Sequence, residues 1–165
     1  VIDLDPGPGV EMPLIATAAL LISGELADAG LTPFVKTSGS KGLQLYAPLQ
    51  PTASRTVLEW VRAFGDRLVE LHPELFVTEI AKVARAGKIL VDVNQNLPGR
   101  TTVCAYSLRA KDEPTASTPL DWDEVESATD GQPLRFTSAD LLGRVERLGD
   151  LFEPLLSGRR GRLPD

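Results

Sequence analysis

The chain contains 165 residues, of which 42% are hydrophobic and 24% are charged, so its length and composition predict a single folded domain. The net charge of −6 argues against a free-standing nucleic-acid binder with a basic surface, and the single cysteine and single histidine exclude an intrachain disulfide and any two-histidine mechanism. The longest apolar run, 12–22, is shorter than the roughly 20 residues that a membrane span needs. We therefore expect a cytoplasmic protein that makes no membrane contact and has no signal peptide.

Hydrophobic periodicity and turn residues predict an alternation of strands and helices along the chain. In chain order the predicted elements are strand 1–5, helix 10–29, strands 33–37 and 43–49, helices 54–71 and 78–86, strands 88–93 and 101–107, and helices 121–127 and 138–148. This order predicts a mixed α/β or α+β fold rather than a regular doubly wound sheet. We expect residues 1–156 to form the folded core and 157–165 to form a tail or linker.

Acidic residues interrupt two of the predicted apolar strands. Asp3 and Asp5 are two positions apart in the first strand and therefore lie on the same face. Two carboxylates on one face repel each other and are costly to desolvate, and a Mg²⁺ or Mn²⁺ ion would relieve both effects. Asp92 has a similar setting in the strand 88–93, and three converging carboxylates are typical of a two-metal site. The alternative is that these acids are solvated at strand ends.

The turn 38–42 has the sequence Ser-Gly-Ser-Lys-Gly, which offers hydroxyls, free backbone N–H groups and one ammonium. Such a turn can bind phosphates, although it lacks the spacing of a P-loop, and by composition alone an ordinary hairpin turn is the simpler interpretation. Arg85 and Arg109 are candidate phosphate ligands, although for each taken alone a surface charge is the simpler interpretation.

Four segments occur in an order and spacing that are more specific than any one of them: VIDLDPGPGV (1–10), KTSGSKGLQLY (36–46), ARAGKILVDVNQN (84–96) and RTTVCAYSLRA (100–110). Together they resemble the polymerase domain of bacterial DNA ligase D, which belongs to the archaeo-eukaryotic primase superfamily. The resemblance extends from residue 1 to about residue 151. It implies a two-layer catalytic core in which a mixed, RRM-like sheet is flanked by helices.

The resemblance also implies an activity, which is attack of a primer 3′-hydroxyl on the α-phosphate of a nucleoside triphosphate in DNA end-joining repair. It implies a two-metal site for Mn²⁺ or Mg²⁺ at Asp3, Asp5 and Asp92. The nucleotide-binding residues that it implies are Ser38, Ser40, Lys41, Gln44, Arg85, Gln95 and Arg109. The implied partners are the nucleoside triphosphate, a DNA primer-template, and a second polypeptide or ligase partner.

Two departures from the family pattern bear on activity. The family motif Ser-x-Lys-Gly-Leu-His ends here in Gln44, which can donate a hydrogen bond but cannot hold a positive charge. The segment that precedes the Asp-x-Asp strand in the family, and that contacts DNA, is not in this sequence. We therefore expect a weak grip on DNA and a partial or weakened form of the enzyme.

Two alternatives remain open from the sequence. The first is a non-catalytic remnant that binds a nucleotide or a partner protein, which Gln44 and the acidic net charge favour. The second is a haloacid-dehalogenase-type phosphatase, in which Asp3 would be the nucleophile and Asp5 the general acid.

Overall fold

The computed structural model describes residues 1–81 and 83–164. In chain order its elements are β1 Ile2–Pro6, α1 Met12–Asp28, β2 Phe34–Thr37, β3 Leu43–Tyr46, α2 Ser54–Leu71, β4 Phe76–Val77, β5 Ile89–Asp92, a 3₁₀ turn Asn94–Asn96, β6 Leu108–Arg109, β7 Thr115–Ala116, β8 Pro119–Leu120, α3 Trp122–Thr129, α4 Ser138–Leu148 and α5 Glu153–Ser157. A six-stranded mixed sheet has the order β4-β5-β1-β3-β2-β8, and β6 pairs with β7 separately. The predicted mixed α/β class is confirmed.

The central strand β1 separates an apolar face of the sheet from a polar one. It pairs antiparallel with β3 on one side and with β5 on the other. Ile2 and Leu4 are buried on one face, and Asp3 and Asp5 occupy the other because successive side chains alternate. The neighbouring strands supply further buried apolar residues: Val35, Leu43, Leu45, Ile89 and Val91. The sheet therefore buries a hydrophobic face and leaves its polar face free for a site.

Helices α1 and α2 cover the apolar face of the sheet. Both contribute buried side chains to the same hydrophobic cluster as the strands, including Ile15 and Ile22 from α1 and Phe64 and Leu68 from α2. Each such side chain contributes about 1.5–3 kcal/mol when it is fully buried. The resulting helix layer holds β1 rigidly against its neighbours, which fixes where Asp3 and Asp5 lie.

The C-terminal helices are fixed by capping and by one ion pair. Capping boxes begin α3 at Asp121 and α4 at Thr137. The Arg144 guanidinium on α4 donates to both carboxylate oxygens of Glu124 on α3.

After α5 the chain returns to the body of the protein, where Gly161 O accepts from Gln50 N at 2.8 Å. The domain boundary at residue 156 stays a prediction. None of the helices in the described ranges is long and apolar enough to cross a membrane.

The predicted helix 78–86 is wrong over the residues that the structure describes, and Lys82 within it lies outside them. Residues 83–87 form turns instead. The backbone N–H of Gly87 donates to Pro8 O at 2.9 Å, and Gly7 N donates to Lys88 O at 2.9 Å. Residues 87 and 88 thus form hydrogen bonds with the turn after β1 instead of with a helix of their own. These bonds hold the segment 83–88 beside the end of β1.

The predicted strand 101–107 is also wrong, because this segment is irregular and the strand begins at Leu108. Tyr106 has φ of 66°, which is incompatible with a continuous strand. Its backbone N–H donates to Ser117 O at 2.6 Å. The segment therefore crosses toward residues 115–118 and lies over the polar face of the sheet.

Candidate active site

A row of polar side chains crosses the middle of the sheet on its polar face. Asp92 on β5 lies opposite Asp3 on β1, Asp3 lies opposite Gln44 on β3, and Gln44 lies opposite Lys36 on β2. Residues directly opposite one another on adjacent strands have Cβ atoms about 4.5–5.5 Å apart. The register of four strands therefore brings these residues into one continuous row, which we call the cavity floor.

The three predicted metal ligands lie close together at one end of the floor, and they differ in environment. Burial raises the pKa of Asp3 to about 6, and the negative charges of Asp92 and Asp5 add to this effect, while a hydrogen bond from Gln44 opposes it. Asp92 accepts a hydrogen bond from Asn94 N at 2.9 Å. Asp3 is therefore an acid whose negative charge is costly to bury.

Asp5 lies nearer to solvent and forms an ion pair with Arg85. Arg85 Nη1 donates to its Oδ2 at 2.6 Å, and the two side chains are 14% and 54% exposed, respectively. The turn 83–87 positions this arginine, since Lys88 and Gly87 are bonded to the loop after β1. The predicted nucleotide ligand Arg85 thus contacts a predicted metal ligand.

The chemistry of these acids suits a divalent cation. In the described ranges, however, no three acidic, histidine or cysteine side chains are already arranged to bind a metal ion. Asp3, Asp5 and Asp92 line the same cavity and offer only oxygen donors, which Mg²⁺ and Mn²⁺ prefer. Burial is the main cause of the raised pKa of Asp3, and the charges of Asp92 and Asp5 add to it, so a bound cation would offset both effects. The contact with Arg85 uses Oδ2 of Asp5, so Oδ1 of the same carboxylate is left for an ion.

A polar cavity of about 380 Å³ opens over the floor. Apart from Arg85, every predicted site residue lines it: Asp3, Asp5, Ser38, Ser40, Lys41, Gln44, Asp92, Gln95 and Arg109. Thr101, Thr102 and Val103 also line it. A strand over 101–107 does not predict this contact, because the loop reaches the cavity only by crossing the polar face. A cavity of this size and polarity suits a charged small molecule.

The turn between β2 and β3 is held by its own first serine. Ser38 Oγ accepts from the backbone N–H groups of Ser40 at 3.2 Å and Gly42 at 3.1 Å. Gly39 has φ of 66°, and a Cβ there would lie 2.7 Å from Arg109 Cγ, so this glycine lets Arg109 approach the turn. Lys41 is exposed at the tip. The turn thus places two cations beside the cavity.

Two buried polar atoms near the cavity lack a hydrogen-bond partner within the described part of the chain. They are Gln95 Oε1 and Arg85 Nε. Buried polar atoms are nearly always paired, so an unpaired acceptor and donor are typical of a site that a ligand completes. Gln95 follows β5 in the 3₁₀ turn, which directs it to the same end of the cavity as Asp92.

Sequence reasoning missed Lys36, which completes the floor. Its Nζ donates to Gln44 Oε1 and to Ser117 Oγ, both at 2.6 Å, and the residue is 1% exposed. Burial lowers the pKa of Lys36 to about 8, and the nearby Asp3 carboxyl acts in the opposite direction. A lysine inside the apolar strand Phe34–Thr37 was the available signal.

Paired carboxylates and a serine-lysine turn over one polar cavity, on the free face of a mixed sheet, define a domain of the primase-polymerase class. Residues 1–152 match the family model described as LigD, primase-polymerase domain. The chain therefore belongs to the LigD primase-polymerase domain family rather than to the haloacid-dehalogenase phosphatases. The resemblance inferred from the four sequence segments is confirmed.

Several relatives support this assignment. The multifunctional non-homologous end joining DNA repair protein LigD of Mycobacterium tuberculosis (strain H37Rv) is 43% identical over 157 residues, which cover 94% of this chain and 20% of that protein. The bifunctional LigD of Bacillus subtilis is 36% identical over 156 residues, covering 92% of this chain and 25% of that protein. The chain thus spans about a fifth to a quarter of the length of these relatives.

A solved structure shows the same fold. The polymerase domain from Mycobacterium tuberculosis ligase D in complex with DNA superposes with a TM-score of 0.88 at 41% sequence identity. The match covers 93% of this chain and 53% of that one. The fold of this chain is therefore that of a ligase D polymerase domain.

Proposed function

We propose that this chain is a metal-dependent nucleotidyltransferase domain that adds nucleotides to a primer 3′-hydroxyl during DNA end joining. The observation that supports it most directly is the strand register that brings Asp92, Asp3 and Gln44 into one row under the cavity. The relatives named for non-homologous end joining and the neighbour in complex with DNA support the proposed pathway and substrate. We further propose that it acts in the cytoplasm.

In this proposal Asp3, Asp5 and Asp92 hold Mn²⁺ or Mg²⁺, which when bound would lower the pKa of the attacking hydroxyl and offset charge on the phosphates. The three carboxylates repel phosphate oxygens by themselves, so they would act on the α-phosphate only by holding the ions. The cost of burying Asp3 near two other acids is what makes this end of the cavity receptive to cations.

The rest of the cavity would bind the triphosphate. Lys41 and Arg109 border it, and Ser38 and Ser40 form the turn between them. Ammonium and guanidinium groups bind phosphate oxygens by charge-assisted hydrogen bonds. The buried, unpaired Gln95 Oε1 is an acceptor suited to a hydroxyl or amino group of the nucleotide. These residues would align the α-phosphate with the primer before reaction.

Binding of the DNA requires contacts beyond those that this cavity offers. The net charge of −6 gives no general attraction to a polyanion. We therefore propose that the primer end is held locally at the cavity and that a second polypeptide or ligase partner contributes further contacts. In that case the affinity for DNA should fall steeply with salt concentration when the partner is present, and much less when it is absent.

The decisive experiment is a calorimetric titration of Mn²⁺ plus a ribonucleoside triphosphate into the purified chain. We expect binding by the parent chain, no detectable binding by Asp3→Ala, and normal binding by Asp66→Ala, which removes an exposed acid of α2. Equal binding by Asp3→Ala and the parent chain would contradict the proposed metal site.

A primer-extension assay with the same proteins separates an active domain from a binding remnant. Extension of a primer-template by the parent chain, lost in Asp92→Ala, is the expected result. Nucleotide binding without any extension, even with added ligase partner, would instead support the remnant alternative, in which Gln44 replaces the family histidine.

A further inference from the structure

Lys36 is a buried lysine that the proposed mechanism does not use. It lies on β2 at the edge of the cavity floor and does not line the cavity itself. Burying an ammonium group costs several kcal/mol before its partners compensate. A methionine of similar length would fill the same space without that cost, so packing alone does not account for a lysine. The reason for an ammonium group at this position therefore lies in the hydrogen bonds that it donates to neighbouring residues.

Its hydrogen bonds impose a direction on Gln44. An ammonium can only donate and a carboxylate can only accept, whereas a glutamine amide can do both. Gln44 lies between Lys36 on one neighbouring strand and Asp3 on the other. Because Lys36 donates to Oε1 at 2.6 Å, the NH₂ group of Gln44 is directed away from Lys36. It then faces Asp3, which lies opposite Gln44 on β1.

Lys36 is itself held from its other side. Ser117 Oγ accepts from Nζ at 2.6 Å, and the same hydroxyl donates to Thr37 O at 2.8 Å. Each hydrogen bond in this series determines which atoms of the next group can donate and which can accept. The series runs from Ser117 through Lys36 to Gln44, which lies opposite Asp3 and lines the cavity.

We propose that Lys36 is a positioning residue, which fixes the Gln44 amide so that its NH₂ group is presented to Asp3 and to the nucleotide. The nucleotide as ligand rests on the proposed function, whereas the orientation of the amide does not. A neutral histidine also has one donor and one acceptor, so it can occupy position 44 in the same series. The requirement at this position is then a neutral group that accepts from Lys36 and donates onward, and Gln44 meets it.

The orientation is tested directly by NMR on the ¹⁵N-labelled chain. The Gln44 side-chain NH₂ signals are assigned by their loss in Gln44→Glu. In Lys36→Met we expect these signals to move toward those of an exposed glutamine and to exchange faster with solvent. Tyr46→Phe is the matched control, because it removes a longer contact of 3.4 Å to the same Oε1, and it should leave the signals nearly in place.

Unchanged Gln44 signals in Lys36→Met would overturn the proposal. If that variant does not fold, Ser117→Ala tests the same series from its far end. It removes the other acceptor of Lys36 and should shift the Gln44 signals in the same direction but less. Gln44 signals that stay unchanged in Ser117→Ala would then overturn the proposal.

A titration with Mn²⁺ and a nucleoside triphosphate tests the consequence for binding. We expect affinity to fall about tenfold in Lys36→Met, as for the loss of a hydrogen bond to a charged group, and more in Gln44→Glu, which cannot donate. Gln44→His should restore the parent affinity. Unchanged affinity in Lys36→Met would overturn the functional role. If the parent chain binds no nucleotide, the proposed function fails, and the NMR measurement still decides the role of Lys36.

Discussion

The floor of the cavity and its rim place charged groups in opposite ways. We use rim for the groups around the opening, namely Arg85, Arg109, Lys111 and turn residues 38–41, whereas Gly42 packs against β1 beneath the floor. On the floor, Lys36 and Asp3 are largely removed from water, and strand pairing fixes their positions. On the rim, Lys111 Nζ donates to Ser40 Oγ at 3.0 Å in a contact that solvent surrounds.

This difference determines what each region can do. Charges on the floor cannot be screened or rearranged without moving strands, so they set a fixed electrostatic field at the reacting end of the cavity. Exposed ion pairs contribute little to stability and can exchange partners readily. The floor is therefore suited to fixing acids, and the rim is suited to accepting and releasing a ligand.

The largest effect should come from breaking the backbone contact under the floor. A Cβ at Gly42 would lie 2.1 Å from Leu4 O, so Gly42→Ala must separate β1 from β3. We expect it to lower the free energy of unfolding by about 4 kcal/mol, measured by urea denaturation. Gly39→Ala on the rim is the control. Gly39 has φ of 66°, and a Cβ there would meet Arg109 Cγ at 2.7 Å, which can move, and Ser117 N at 3.0 Å, so we expect a cost of about 1–2 kcal/mol. An equal loss in both would contradict the comparison.

A second, smaller effect should appear in the pH dependence of stability without metal. The pKa of Asp3 is about 6 in the folded protein against an ordinary value of 3.8, so between these values the folded state binds more protons than the unfolded chain. The free energy of unfolding should therefore fall as pH rises from about 4 to 6, by up to about 3 kcal/mol from this group.

Asp3→Asn should remove that part of the pH dependence, and Asp66→Asn should retain it. Urea denaturation at several pH values between 4 and 7 measures both profiles. If Asp3→Asn and the parent chain give parallel profiles, the floor does not hold an uncompensated acid.

The smallest effect should come from the rim. Arg85→Met removes an ion pair that is open to solvent only on the Asp5 side, since the Asp5 side chain is 54% exposed and the Arg85 side chain 14%. Because methionine also removes the buried Nε that lacks a partner within the described residues, we expect the free energy of unfolding to change by about 0.5 kcal/mol or less. Its effect should be close to that of Arg55→Met, which removes the exposed pair with Glu59 on α2. A loss above about 2 kcal/mol would show that the rim is fixed as firmly as the floor. Thermal and urea unfolding of the two variants make the comparison.

Local sequence patterns determined the main elements and the acids. Helices α1, α2 and α4 and strands β1, β2, β3 and β5 were predicted with small shifts at their ends, because their periodicity depends on neighbours a few residues away. The alternation within β1 also placed Asp3 and Asp5 on one face, since a strand repeats every two residues. Spacing among four segments was enough to indicate the family.

Tertiary structure decided what depends on hydrogen bonds between distant segments. The turn 83–87 is not helical because Gly87 N bonds to Pro8 O, and the loop 101–107 is not a strand because Tyr106 N bonds to Ser117 O. Lys36 became part of the site through Ser117, a residue 81 positions away in the chain. A lysine in a strand favours solvent by its own chemistry, and only partners supplied by the fold could hold its ammonium inside.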